Sequence, residues 1–230
     1  MKRKQSNPRP YARKRVKAAN ATSAFTVSDV SRIARRVVRN AAETKQLVIY
    51  TSVAPVDNSV TVINLCSTTQ GVTEAQVIGE KIYIEKVKLR HFMFNNNNTN
   101  ASKQVRLVVF MAKEEITATT QASVTAQNLF KTAVGGLVLP INPTDDHKIK
   151  VLYDVVLKLQ PTLSNFTVTN LETREYNYEV KIGRNFTYKD GNCSYGEKQT
   201  LYLAVVGYEQ AGATQPVGIQ TFSTMYYRDM

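Results

Sequence analysis

The sequence contains no tryptophan and only two cysteines and two histidines in 230 residues. Cys66 and Cys193 are too few and too far apart for a disulfide framework or a zinc site, so both are expected as buried free thiols in a reducing compartment. His91 and His147 are the whole imidazole supply. There is no HExxH, no nucleophile elbow and no phosphate-binding Gly-Lys loop, because Gly79-Glu80-Lys81 lacks the upstream glycine and the following Ser/Thr that such a loop needs. Asp145-Asp146-His147 reads as a solvated turn before a strand. No enzymatic activity, catalytic residue or cofactor is expected. Long apolar runs are missing as well: none approaches the ~20 residues of a membrane span, and no apolar h-region follows the first charges. A soluble chain with no membrane partner is expected.

Acidic charge is missing from one end only. Of 30 basic and 18 acidic side chains, 13 and 2 fall in the first 45 residues, a local balance of +11, which leaves 17 against 16 for the other 185. The chain is a cationic arm on a nearly neutral body, and such an arm needs a polyanion. Residues 1–27 form the arm proper. Lys2, Arg3, Lys4, Arg9, Arg13, Lys14, Arg15 and Lys17 meet no acidic residue there, and Pro8 and Pro10 interrupt the chain. Too little apolar surface is available to offset the conformational entropy of ordering, so the arm is expected to be disordered in isolation. Lys2-Arg3-Lys4 followed by Arg13-Lys14-Arg15 also has the form of a bipartite nuclear import signal, with a host import receptor as the implied partner.

Residues 28–45 have a different pattern. Val30, Ile33, Ala34, Val37, Val38 and Ala41 recur at spacings of three and four, which places them on one helix face. Arg32, Arg35, Arg36 and Arg39 line the other and are expected to meet phosphates. Ser28 suits the N-cap and Asp29 the positive helix end.

The body, residues 46–230, reads as strands. Leu47 to Tyr50, Val60 to Leu65, Lys81 to Phe94 and Val105 to Ala112 come first. Within the third, Ile82 and Ile84 hold one phase while Val87, Leu89 and Met93 hold the other, which predicts a bulge near Glu85. Polar turns are expected at Asn95 to Asn100 and at Asp190-Gly191-Asn192, a surface loop over Glu114 to Ala126, and a short helix over Gln127 to Val134. Ile149, Val151, Tyr153, Val155, Leu157 and Leu159 alternate with polar residues and predict one buried face. Tyr176, Tyr178, Val180 and Ile182 repeat the alternation ahead of a kink at Gly183, and Thr200 to Val206 and Ile219 to Tyr227 complete the set. Eight or nine strands with long connections and few helices imply an all-β fold, an eight-stranded antiparallel jelly-roll sandwich.

Several stretches carry a resemblance that spans most of the chain. They are the Arg/Lys arm, the helix running through Ala42-Glu43-Thr44-Lys45 into the first strand, Gly79-Glu80-Lys81-Ile82 opening a basic strand through Val87-Lys88-Leu89, Val105-Arg106-Leu107-Val108-Val109-Phe110, Lys150-Val151-Leu152-Tyr153-Asp154, and Met225-Tyr226-Tyr227-Arg228-Asp229. In order and spacing the chain resembles the single jelly-roll capsid (coat) proteins of small circular single-stranded DNA viruses, circovirus-like, and of satellite tobacco necrosis virus. The resemblance implies a homo-oligomeric T=1 icosahedral shell of 60 copies with the arm inside. Its partner would be a single-stranded viral genome, DNA favoured over RNA because the import signal points to nuclear replication. Residence in the virion, and in the host nucleus during assembly, would follow. Similar satellite-virus coats hold calcium between subunits, and Glu43 and Asp229 stand at comparable positions; two acids near the chain ends are more simply read as solvated, so no metal is expected. The competing function is a nucleic-acid-binding nuclear shuttle or movement protein, which would share the arm without closing shells.

Overall fold

The computed structural model describes residues 26–41, 43–54, 60–73, 75–95, 103–112, 129–131, 143–147, 149–159, 173–189, 196, 199–209 and 217–230. The chain divides between Val37 and Val38 into two units. Helix α1 spans Val27–Ala41, and its cap is Thr26 rather than Ser28. The Thr26 hydroxyl accepts the Asp29 N–H at 3.2 Å, while the Asp29 carboxylate accepts the Thr26 N–H at 3.3 Å and its hydroxyl at 2.7 Å. This reciprocal box satisfies two backbone donors that the first helical turn leaves open and holds a carboxylate at the positive helix end. The helix ends at Ala41, short of the expected 45, and Lys45 already opens a strand. Lys45 is held there by Asp229 at 2.7 Å and by the Gln76 carbonyl at 3.1 Å, contacts that a continuing helix would break.

Eight strands follow among the described residues: β1 Lys45–Val53, β2 Val60–Asn64, β3 Lys81–Asn95, β4 Lys103–Ala112, β5 Ile149–Leu159, β6 Thr173–Thr187, β7 Leu201–Glu209 and β8 Val217–Asp229. They form two four-stranded sheets, ordered β1-β8-β3-β6 and β2-β7-β4-β5. Every pairing is antiparallel, and the pairs β1/β8, β2/β7, β3/β6 and β4/β5 nest inside one another. A long hairpin folded over on itself gives this nesting, and the β3/β8 and β4/β7 ladders then join the turns of the roll. The fold is the expected jelly roll.

Between the sheets lies the main core. Ile82, Ile84, Val87, Leu89 and Met93 of β3 and Met225 and Tyr227 of β8 meet Leu107 and Val109 of β4 and Leu203 and Val205 of β7, all buried. Each such side chain contributes roughly 1.5–3 kcal/mol, against ~1 kcal/mol or less for an exposed ion pair. Sheet-on-sheet packing therefore decides stability. A second cluster covers the outer face of β2-β7-β4-β5, where Leu129 and Phe130 sit on Val108, Phe110, Tyr202, Ala204 and Val206. The segment is pinned by Lys131 N to Pro143 O and by Asp145 N to Leu129 O, both 2.9 Å. This is why β4 is apolar in both phases: both its faces are covered.

The bulge expected near Glu85 is present, since Ile84 pairs with Tyr227 and Lys86 with Tyr226, leaving Glu85 as the extra residue. Gly183, across the ladder, has φ +60°, which supports the kink expected there. A second bulge was not foreseen. Val109 pairs with Tyr153 and Phe110 with Val151, so Leu152 is passed over. As a result Tyr153, Val155, Leu157 and Leu159 pack on the inter-sheet core, whereas Ile149 and Val151 join the outer cluster. The single face expected for β5 is thus split between two. Residues 96–100, 114–126 and 190–193, with their expected turns, loop and Cys193, lie outside the described residues, as does most of 127–134. Cys66 is free and buried, and burial pushes its thiol up to about 12, which keeps it a packing group and not a nucleophile.

Candidate nucleic-acid interface

Of the basic residues expected to bind nucleic acid, Lys2, Arg3, Lys4, Arg9, Arg13, Lys14, Arg15 and Lys17 lie outside the described residues. Arg32, Arg35, Arg36 and Arg39 all fall on α1. At ~100° and 1.5 Å per residue, the four positions occupy an arc of about 100° over about 10 Å of axis, a length matching roughly three phosphates of a stacked strand at 3.4 Å each. Arg32 and Arg36 are exposed. Arg32 meets Asp29 at 3.1 Å with 79% of its side chain still accessible. An exposed pair of this kind holds only a few tenths of a kcal/mol, so a phosphate can displace it. Val30, Ile33 and Val37, on the other face, are also exposed.

The body carries a second cationic array that counting charges does not reveal, because acids elsewhere in the body balance it. On the outer face of β1-β8-β3-β6, β3 presents Lys86, Lys88, Arg90 and Phe92 on alternate residues. Register places Tyr226, Thr224, Phe222 and Gln220 of β8 beside them and Gln46, Val48, Tyr50 and Ser52 of β1 beyond. On the far side β6 contributes Lys181, Glu179, Asn177 and Glu175. The Lys86 and Lys88 ammonium groups each lie 5.2 Å from the centre of the Tyr226 ring, within cation–π range. Lys86 also pairs with Glu179 at 3.0 Å, and Arg228 with Glu85 at 2.6 Å. Among the described residues neither Lys88 nor Arg90 has an ion pair. The Phe222 and Tyr50 rings lie 4.7 Å apart, tilted by 43°, while remaining 49% and 52% exposed. Lys88, Arg90, Phe222 and Tyr226 border an open concavity of about 390 Å³. The alternation Lys86-x-Lys88-x-Arg90 is visible in the sequence; its aromatic neighbours come from β1 and β8 and are brought alongside only by strand pairing.

The remaining polar groups of interest are structural. The Asp229 carboxylate accepts from Lys45 at 2.7 Å and from the Ile78 N–H at 3.1 Å, so an internal cation occupies the acid that a bridging calcium would use. Among the described residues no group of three or more His, Cys, Asp or Glu could hold a metal. His91 is buried in the core, its Nδ1 2.9 Å from the Thr221 hydroxyl and its Nε2 3.2 Å from the Tyr178 hydroxyl. Burial lowers it to about 4, so the ring is neutral near pH 7. His147 is exposed, and its backbone N–H donates to the Asp145 carboxylate at 3.1 Å in the expected turn.

No protein-family model and no curated protein matches the chain. Among solved structures, similarity is found to the BFDV capsid protein in a 60-mer, at TM-score 0.32 and 12% identity over 81% of this chain and 93% of that one. A second is deformed wing virus, a honeybee pathogen, at TM-score 0.30 and 12% identity over 99% of this chain and 55% of that one. A third is VP2 of infectious bursal disease virus in a subviral particle, at TM-score 0.24 and 6% identity over 79% of this chain and 32% of that one. Likenesses this distant carry no argument about the chain, and its jelly roll rests on its own strand order.

Proposed function

We propose that the chain is a viral capsid protein that assembles into a small closed shell, T=1 with 60 copies, and packages a single-stranded genome through residues 1–45. The observation that carries this reading is the partition of charge, +11 on the first 45 residues and about neutral on a jelly-roll body. Sixty such arms would bring roughly 660 positive charges to the genome, each able to displace a counterion from a phosphate. Packaging would be largely independent of sequence, since Lys and Arg contacts to phosphate carry no base information. Near-neutral bodies repel one another little, so they can associate once the arms are neutralised. The two basic clusters within the first 17 residues fit nuclear import and favour a DNA genome.

The test is to purify particles of the full-length chain and of a chain lacking residues 1–17, image them by electron microscopy and compare their absorbance at 260 and 280 nm. Closed shells from both, with much less nucleic acid in the truncated ones, are expected. Equal nucleic-acid content would refute the arm as packaging device. Nucleoprotein that never closes into shells would point to a shuttle or movement protein.

A further inference from the structure

We infer that the outer face of the β1-β8-β3-β6 sheet is a binding surface for single-stranded nucleic acid, with phosphates on Lys88 and Arg90 and bases stacked on Tyr50, Phe222 and Tyr226. The inference deepens the packaging reading, from which it takes the identity of the polyanion, but it places the contact on the folded body and not on the arm.

The two sheets of the sandwich are finished differently. On the outer face of β2-β7-β4-β5, Leu129 and Phe130 cover Val108, Phe110, Tyr202, Ala204 and Val206, and Val156 alone among the described large apolar residues is exposed, whereas the opposite outer face leaves Val48, Tyr50, Phe92 and Phe222 between 37% and 58% exposed. Four large apolar side chains exposed together on one face of a folded body mark an interaction surface. Its charge selects the occupant. Lys88 and Arg90 stand in the middle of it without carboxylate partners among the described residues, so pressing an uncharged surface against them would desolvate two cations with nothing to compensate. A polyanion supplies that compensation. Alternate residues on a strand lie about 6.8 Å apart, twice the ~3.4 Å spacing of a stacked strand, so the β3 cations fall opposite every second phosphate. The neighbouring β8 column lies one strand away, about 4.8 Å, and offers ring faces there. Cations beside exposed aromatics are the arrangement that holds single strands without reading sequence. Glu175 and Glu179 lie on the β6 side of the face, so the strand would follow β3 and β8 towards β1.

Two measurements on the full-length chain test this. A short oligo-dT carrying 5-iododeoxyuridine is photo-crosslinked and the modified peptides are mapped by mass spectrometry; crosslinks at Tyr50, Phe222 or Tyr226 are expected. Crosslinks confined to residues 1–41 would overturn the inference while leaving arm-driven packaging intact. The exposed double variant Tyr50→Ala/Phe222→Ala should bind oligo-dT about tenfold more weakly and inorganic polyphosphate as tightly as before. Lys88→Ala/Arg90→Ala should flatten the salt dependence of oligo-dT binding by about 1.4 in log–log slope. If either double variant binds oligo-dT with unchanged affinity and slope, or if a changed assembly state is the sole effect, the face is a contact between copies or a seat for the chain's own arm, and the inference fails.

Discussion

Acid should weaken this fold through a single imidazole. His91 points from β3 into the core, 2% exposed, and is bonded to neutral groups: the Thr221 hydroxyl at 2.9 Å, the Tyr178 hydroxyl at 3.2 Å and the Tyr178 ring stacked at 5.4 Å. Among the described residues no carboxylate pairs with it to stabilise an imidazolium, and burial lowers the group from 6.5 to about 4. Because the folded value lies below the unfolded one, the unfolded chain takes up a proton first as pH falls. Stability is intact above about 6.5 and is lost progressively down to about 4, below which both states are protonated. At ~1.36 kcal/mol per unit, the loss over that window is about 3 kcal/mol. The assay is urea unfolding of wild type and His91→Gln between pH 7.5 and 4. The glutamine amide offers Thr221 and Tyr178 a donor and an acceptor but does not titrate. All groups other than residue 91 are common to both proteins, so their contributions cancel in the difference. Wild type should lose its advantage by about 3 kcal/mol across the window. Two stability curves that stay parallel from pH 7 to 4 would refute the argument.

Two further substitutions test the packing. Val155→Asp, which sets a carboxylate against the inter-sheet core, should abolish soluble protein, while Lys158→Asp on the exposed side of the same strand should leave expression and melting temperature nearly unchanged; equal solubility of the two would sink the assignment of faces on β5. Asp229→Ala should cost about 3 kcal/mol, because it strands a Lys45 ammonium only 11% exposed and the Ile78 N–H. Calorimetry should show this as a fall of about 8 °C, and an unchanged melting temperature would mean that the chain ends are not latched by this pair.

Much of the architecture follows from local pattern. The charge partition needs only counting, and the helix with four arginines on one face follows from the 3.6-residue period. The bulge at Glu85 was legible because its apolar residues change phase within the sequence itself. The bulge at Leu152 was not, since Ile149 to Leu159 alternate without a break and the slip is imposed by pairing with β4, where Phe110 must meet Val151. The helix cap shows the same limit on a smaller scale. Ser28 and Thr26 both suit the position, and the choice falls to the residue whose third successor, Asp29, can return a hydrogen bond. Chain geometry alone also left open which sheet face Leu129 and Phe130 would cover: Phe130 reaches β4 and β7 only through the tertiary path of its segment. By itself the sequence determined where the charge is concentrated, an amphipathic helix and an antiparallel β-sandwich, because charge and side-chain period are local properties. Only the tertiary structure decided that Lys88 and Arg90 would lie beside Tyr50, Phe222 and Tyr226, because that proximity is created by the ladders joining β1, β8 and β3, strands drawn from opposite ends of the chain.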